Sequence, residues 1–133
     1  TVSASNEYDE AKTPSSMDGE SWWGTNHGPE VDVAAPGVHN LTTDIHGADG
    51  YIGGDYEPKF NGTSSSTPIV AGACALVLSA NPNLSEAELR ALVKDNTDQV
   101  GSYPYVNNRN DFFGNGRLNV YKAVKAAKAM LAH

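Results

Sequence analysis

The 133 residues are 39% apolar and 19% charged, an ordinary globular mixture that fits one domain and not two. The formal charge of −7 is unevenly spread: residues 1–60 hold eleven acids against Lys12 and Lys59, net −9, and residues 61–133 hold five acids against seven bases, net +2. An acidic front half argues against the basic face of a nucleic-acid binder, and no apolar run reads as long enough for a membrane. Thr1 rather than Met opens the chain. The expectation is a processed or excised piece, with any export signal upstream.

Thr1 to Ser5 reads as a short β-prone piece, followed by a long polar surface loop from Asn6 to Gly28. Trp22 and Trp23 inside that loop are expected to clamp the domain's own surface. Val31 to Ala34 reads as a brief strand closed by the turn pair Pro36-Gly37, and Val38 to Ile45 as a second strand. Gly47 to Lys59, rich in glycine and acids, reads as a mobile loop.

Ser64 to Ser79 carries no charge, which predicts a helix buried on every face, with Pro68 in its first turn. Cys74, the only cysteine, sits within it and is expected to behave as a small buried hydrophobe. Leu84-Ser85-Glu86-Ala87-Glu88-Leu89 combines a capping box with a hydrophobic staple and predicts a helix running to about Asn96. A third helix is expected from about Asn119, with Val120, Ala123, Val124, Ala127 and Leu131 as its apolar stripe. Gly101 to Gly116 between them reads as a polar loop.

The run Asn61-Gly62-Thr63-Ser64-Ser65-Ser66-Thr67-Pro68, followed by a small apolar helix, resembles the nucleophile motif of the subtilisin-like serine peptidases. Two further segments resemble the same family in the same order: Gly28-Pro29-Glu30-Val31-Asp32-Val33-Ala34-Ala35-Pro36-Gly37 before the motif, and Gly114-Asn115-Gly116-Arg117-Leu118-Asn119 after it. Ser65 stands where the family often has Met, and Thr67 where serine is common. A serine opening a buried helix sits where free backbone N–H groups favour an anion, as a tetrahedral acyl intermediate requires. Glycine at position 62 lets a substrate's backbone come close. Ser64, Ser65 and Ser66 are chemically alike, and only the spacing to Gly62 and Pro68 selects Ser64. Taken without its flanks, the serine run reads as an N-cap cluster for a core helix.

The resemblance implies an α/β fold, the C-terminal portion of a subtilisin-like domain over residues 1–133, with a mostly parallel sheet and a buried central helix starting at the nucleophile. It implies Ser64 as catalytic, with Asn61, Gly62 and Thr63 against the substrate, and a catalytic Asp, His and oxyanion Asn upstream of Thr1. Asp32, His39 and His46 follow the family's Asp–His–Ser order but lack its surrounding motifs, so they are not assigned to the triad. His27 and His133 read as structural or surface residues. No cofactor is required, and calcium is a structural option, with Glu30 and Asp32 as candidate ligands, although two carboxylates are few for that ion. The implied partners are a peptide or protein substrate and the remaining half of the domain, with self-association of the isolated chain. The implied location is secreted or cell-envelope. The rival reading is a non-catalytic fragment or pseudopeptidase used for assembly or binding.

Overall fold

The computed structural model describes residues 1–132, so His133 lies outside it. Strand β1 (Val2–Ser5) pairs in parallel with β2 (Val33–Pro36), Val2 opposite Val33 and Ser5 opposite Pro36. Buried Ala4, Val33, Ala34 and Ala35 show why these segments are strands: both faces of the pair are covered. Strand β3 (Asn40–Thr43) turns back through a long loop to β4 (Tyr56–Phe60) as an antiparallel ribbon with an irregular register between Asn40 and Thr42. The architecture is α/β with a parallel pair, as expected.

Helix α1 (Thr63–Ala80) packs against β1 and β2 and against α3 (Val120–Ala129), while α2 (Glu86–Asp95) fills the corner between α1 and α3. Val77 of α1 meets Ala123 and Ala127 of α3 in one small core, lined by Leu84, Leu89, Leu92 and Val124. The capping box is present: Ser85 Oγ accepts from the Glu88 N–H, and the Glu88 carboxylate accepts from the Ser85 N–H at 2.8 Å. Asn119 caps α3 in the same manner, accepting from the Lys122 N–H at 3.0 Å.

Several expectations change. The segment between Gly47 and Lys59 is not all loop, because β4 occupies its end. Asp44 organises the turn before it, its carboxylate accepting from the N–H groups of Ile45, Tyr51 and Ile52. Pro68 is the sixth helical residue rather than a first-turn one, so the Ser64 carbonyl loses its usual intrahelical donor. Helix α1 is buried along one face only. Ser65, Ser66, Ala73 and Val77 are covered, whereas Ile69, Ala71, Gly72, Ala75, Leu76 and Leu78 are exposed. The sheet present in this chain covers one side of α1, and nothing among the described residues covers the other. Cys74 is accordingly half-buried rather than core, and burial still pushes its thiol pKa up. At 18 residues and a mean hydropathy of 1.3, α1 also meets the length and polarity of a membrane span, contrary to the sequence reading. Its packing on β1, β2 and α3 is that of a domain helix.

The second core cluster joins the two ends of the chain. Phe113, fully buried, meets Ala11 and Ala34 and is backed by Val100, Tyr103, Tyr105 and Phe112. Gly114 allows this approach. Its φ is +59°, and a Cβ there would press on the Asp32 carbonyl and lie 2.6 Å from the Val31 carbonyl oxygen. We expect Gly114→Ala to cost about 1–3 kcal/mol in a denaturant melt from the clash alone, with the left-handed backbone adding to it. An unchanged melt would mean that the 110–116 turn re-forms elsewhere.

Candidate active site

Helix α1 begins on an uncapped turn. Gly62 is its N-cap at φ +120°, a backbone that side chains resist, and no side chain caps it. The Gly62 N–H donates to the Gly37 carbonyl at 2.8 Å, tying the start of α1 to the end of β2. The Gly62 carbonyl in turn accepts from the N–H groups of Ser65 and Ser66 at 2.9 and 3.2 Å. Among the described residues the N–H of Ser64 has no acceptor and points out of the helix start, where the macrodipole favours negative charge.

The three serines part company here. Ser66 is fully buried and donates to the Ala35 carbonyl at 3.0 Å. Ser65 is buried and accepts from Asn40 Nδ2 at 2.5 Å. Ser64 is exposed, and its hydroxyl has no hydrogen-bond partner among the described residues. Burial thus distinguishes three serines that are chemically alike in the sequence.

Around this turn, Thr63 Oγ1 accepts from Asn26 Nδ2 at 3.2 Å. Asn61 is gripped at both ends of its amide. Its Nδ2 donates to Glu20 Oε1 and Oε2 at 2.8 and 2.9 Å, and its Oδ1 accepts from the His39 N–H at 2.7 Å. Burial pulls the Glu20 pKa up, but hydrogen bonds from Trp23 and Asn61 and the nearby His39 hold it below the ordinary carboxylate value. Of the two tryptophans, Trp23 is the clamp, donating from Nε1 to Glu20 at 2.7 Å, while Trp22 is 73% exposed. The polar loop beneath holds a fully buried Lys12, whose ammonium donates to Asp18 at 2.8 Å, to Thr13 O at 2.9 Å and to Glu20 O. No sequence pattern marks Lys12 or Glu20, and both escape a reading of the loop as solvated.

The residues that tempt by order are engaged elsewhere. His39 lies between Glu7 and Glu20, each at 3.2 Å, His46 pairs with Asp55 at 2.8 Å, and His27 stacks on Phe112. Asp32 takes Arg90 and Lys94 at 3.0 and 2.9 Å. Burial opposes its ionisation, but hydrogen bonds from Lys94 and Arg90 hold its pKa well below the usual range. Glu30 is exposed, and the Asp32 carboxylate is taken up by Arg90 and Lys94. Among the described residues no three His, Cys, Asp or Glu side chains converge on a metal position.

A family model for the Subtilase family matches residues 1–116. The chain belongs to the subtilase family. A calcium-dependent protease of Trichormus variabilis is 46% identical over 77 residues, 56% of this chain and 12% of the relative. A halolysin-like extracellular serine protease of Natrialba magadii is 34% identical over 124 residues, 93% of this chain and 19% of the relative. The crystal structure of an Aeromonas sobria serine protease superposes with a TM-score of 0.77 at 24% identity, over 95% of this chain and 28% of that one. This subtilase chain thus spans between 12% and 28% of the length of these three proteases.

Proposed function

We propose that the chain is the nucleophile-bearing part of a serine endopeptidase that cleaves peptides or proteins through an acyl-enzyme on Ser64. One observation carries this: of three adjacent serines, only Ser64 presents a free hydroxyl beside a free helix-start N–H. Ser64 Oγ attacks the peptide carbonyl carbon, and the new C–O bond forms as its proton passes to a histidine base from the rest of the domain. The carbonyl oxygen, now an anion, accepts from the Ser64 N–H. The C–N bond then breaks, the base returns its proton to the departing amine, and water releases the acyl group by the reverse course. Gly62 gives the substrate room, and Thr63 and the backbone of Asn61 border the leaving-group side. The side-chain amide of Asn61 is already spent on Glu20 and His39. The chemistry needs no cofactor, and calcium would serve structure alone. The extracellular halolysin-like relative supports a place outside the cytoplasm.

The test is a fluorophosphonate probe, which reacts with activated serines. The full-length protein is expected to label stoichiometrically at Ser64, and residues 1–133 alone to label slowly, because no base faces Ser64 among the described residues. Full-length protein that stays unlabelled while correctly folded would favour the rival reading, a non-catalytic assembly or binding fragment.

The proposal also assigns the open face of α1 a cover, the remainder of the peptidase domain. Exposed Ile69, Leu76 and Leu78 form an apolar surface of the kind that recruits partners. Residues 1–133 alone are therefore expected to self-associate. Light scattering should show mass rising with concentration, and adding the upstream half should suppress the rise. A concentration-independent monomer would show that α1 tolerates water.

A further inference from the structure

Resting on the reading of Ser64 as nucleophile, we propose that Glu20 is a positioning residue for it, acting through Asn61. Three contacts close a ring just ahead of the nucleophile: Asn61 Nδ2 to Glu20 at 2.8 Å, the His39 N–H to Asn61 Oδ1 at 2.7 Å, and His39 Nε2 to Glu20 Oε1 at 3.2 Å. Asn61 directly precedes Gly62, the N-cap of α1, and Ser64 follows two residues later. The Gly62 carbonyl anchors the first turn. A shift of Asn61 is therefore passed to Ser64 through a short stretch of fixed backbone.

The ring is over-determined. Glu20 is itself held by the buried Lys12 ammonium at its carbonyl, by Asp18 Oδ1 at its N–H (3.1 Å) and by Trp23 at its carboxylate. His39 adopts φ +53°, a left-handed backbone unusual outside glycine, and is gripped by Glu7 as well as Glu20. The carboxylate suits its place because Trp23 Nε1 and Asn61 Nδ2 both bring donors to it, and a carboxylate is all acceptor. Glutamine would turn an NH2 group toward one of them.

The test uses the full-length protein and the variants Glu20→Gln, Glu20→Ala, Asn61→Ala and the Glu20→Ala/Asn61→Ala double. A misplaced nucleophile loses rate rather than affinity, so Glu20→Gln and Glu20→Ala are expected to lower kcat by about 10- to 100-fold with KM little changed. The double variant should fall no lower than Asn61→Ala alone, because Glu20 acts through Asn61. Additive losses in the double variant, or an unchanged kcat in Glu20→Ala, would overturn the proposal.

A second measurement stands apart from activity. In protein labelled with 15N at glycine and asparagine, the Asn61 side-chain amide should exchange slowly with solvent. Glu20→Gln should abolish that protection and shift the Gly62 amide. If the wild type fails to react with fluorophosphonate, the nucleophile reading fails, and the amide signals still decide whether Glu20 holds Asn61. A fast-exchanging Asn61 amide, or an unmoved Gly62 amide in Glu20→Gln, sinks the positioning role whatever the activity shows.

Discussion

Ser64→Ala in the full-length protein is expected to lower kcat on a peptide substrate by about 10⁶, the scale seen when a triad serine is removed, and to abolish fluorophosphonate labelling. The fold should not notice. Ser64 is exposed and its hydroxyl has no partner among the described residues, so stability should stay within about 0.5 kcal/mol of wild type. Ser66→Ala should do the opposite. Its buried hydroxyl donates to the Ala35 carbonyl, and losing that bond should cost about 1 kcal/mol while leaving the labelled site at Ser64. Peptide mapping of the probe adduct, with denaturant melts of both variants, separates the two serines. An adduct on Ser65 or Ser66 would overturn the assignment.

Lys12→Met is the second large effect. The ammonium is fully buried and faces Asp18, also fully buried, at 2.8 Å. Such a pair adds little over well-packed apolar groups, but breaking it strands a charge. We therefore expect a loss of about 3–5 kcal/mol in Lys12→Met, with part of it regained in Lys12→Met/Asp18→Asn. The acid limb offers an independent check. Burial pushes the Asp18 pKa up, but hydrogen bonds from Lys12, Ser16 and Asn6 hold it well below the usual carboxylate range. A folded pKa below the unfolded value of about 3.9 gives stability that is present above that pH and lost as the pH falls below it. Asp18→Asn should flatten that acid loss. A Lys12→Met protein as stable as wild type would mean that water enters the loop and solvates Asp18.

The contrast between α2 and β4 shows what could be read in advance. Helix α2 was legible because Ser85, Glu88, Leu84 and Leu89 act on one another within six residues. Strand β4 was not, since Glu57, Pro58 and Lys59 give no alternating pattern, and its pairing depends on an Asp44-centred turn. Lys12 is a stronger case. A lysine among Ser, Pro, Asp and Gly reads as solvated, and only the folding of Asp18 and the Glu20 carbonyl around it makes a buried site. Ser64 could be singled out as the proposed nucleophile from the fixed distances to Gly62 and Pro68, whereas Glu20 was invisible because it reaches Asn61 across 41 residues. The one-sided burial of α1 could be foreseen only as a problem of what covers an apolar helix.

The bed on which α1 lies is assembled from distant pieces. Residues 2–5 must find residues 33–36, and Ala34 also bridges to Arg117, with the Leu118 N–H donating to its carbonyl at 2.8 Å. Helix turns form in about a microsecond, while pairings across tens of residues wait on slow loop closure. The helix that carries Ser64 is thus ready long before its seat is. During that interval its small apolar residues are open to any neighbouring chain, so refolding yield should fall steeply with protein concentration.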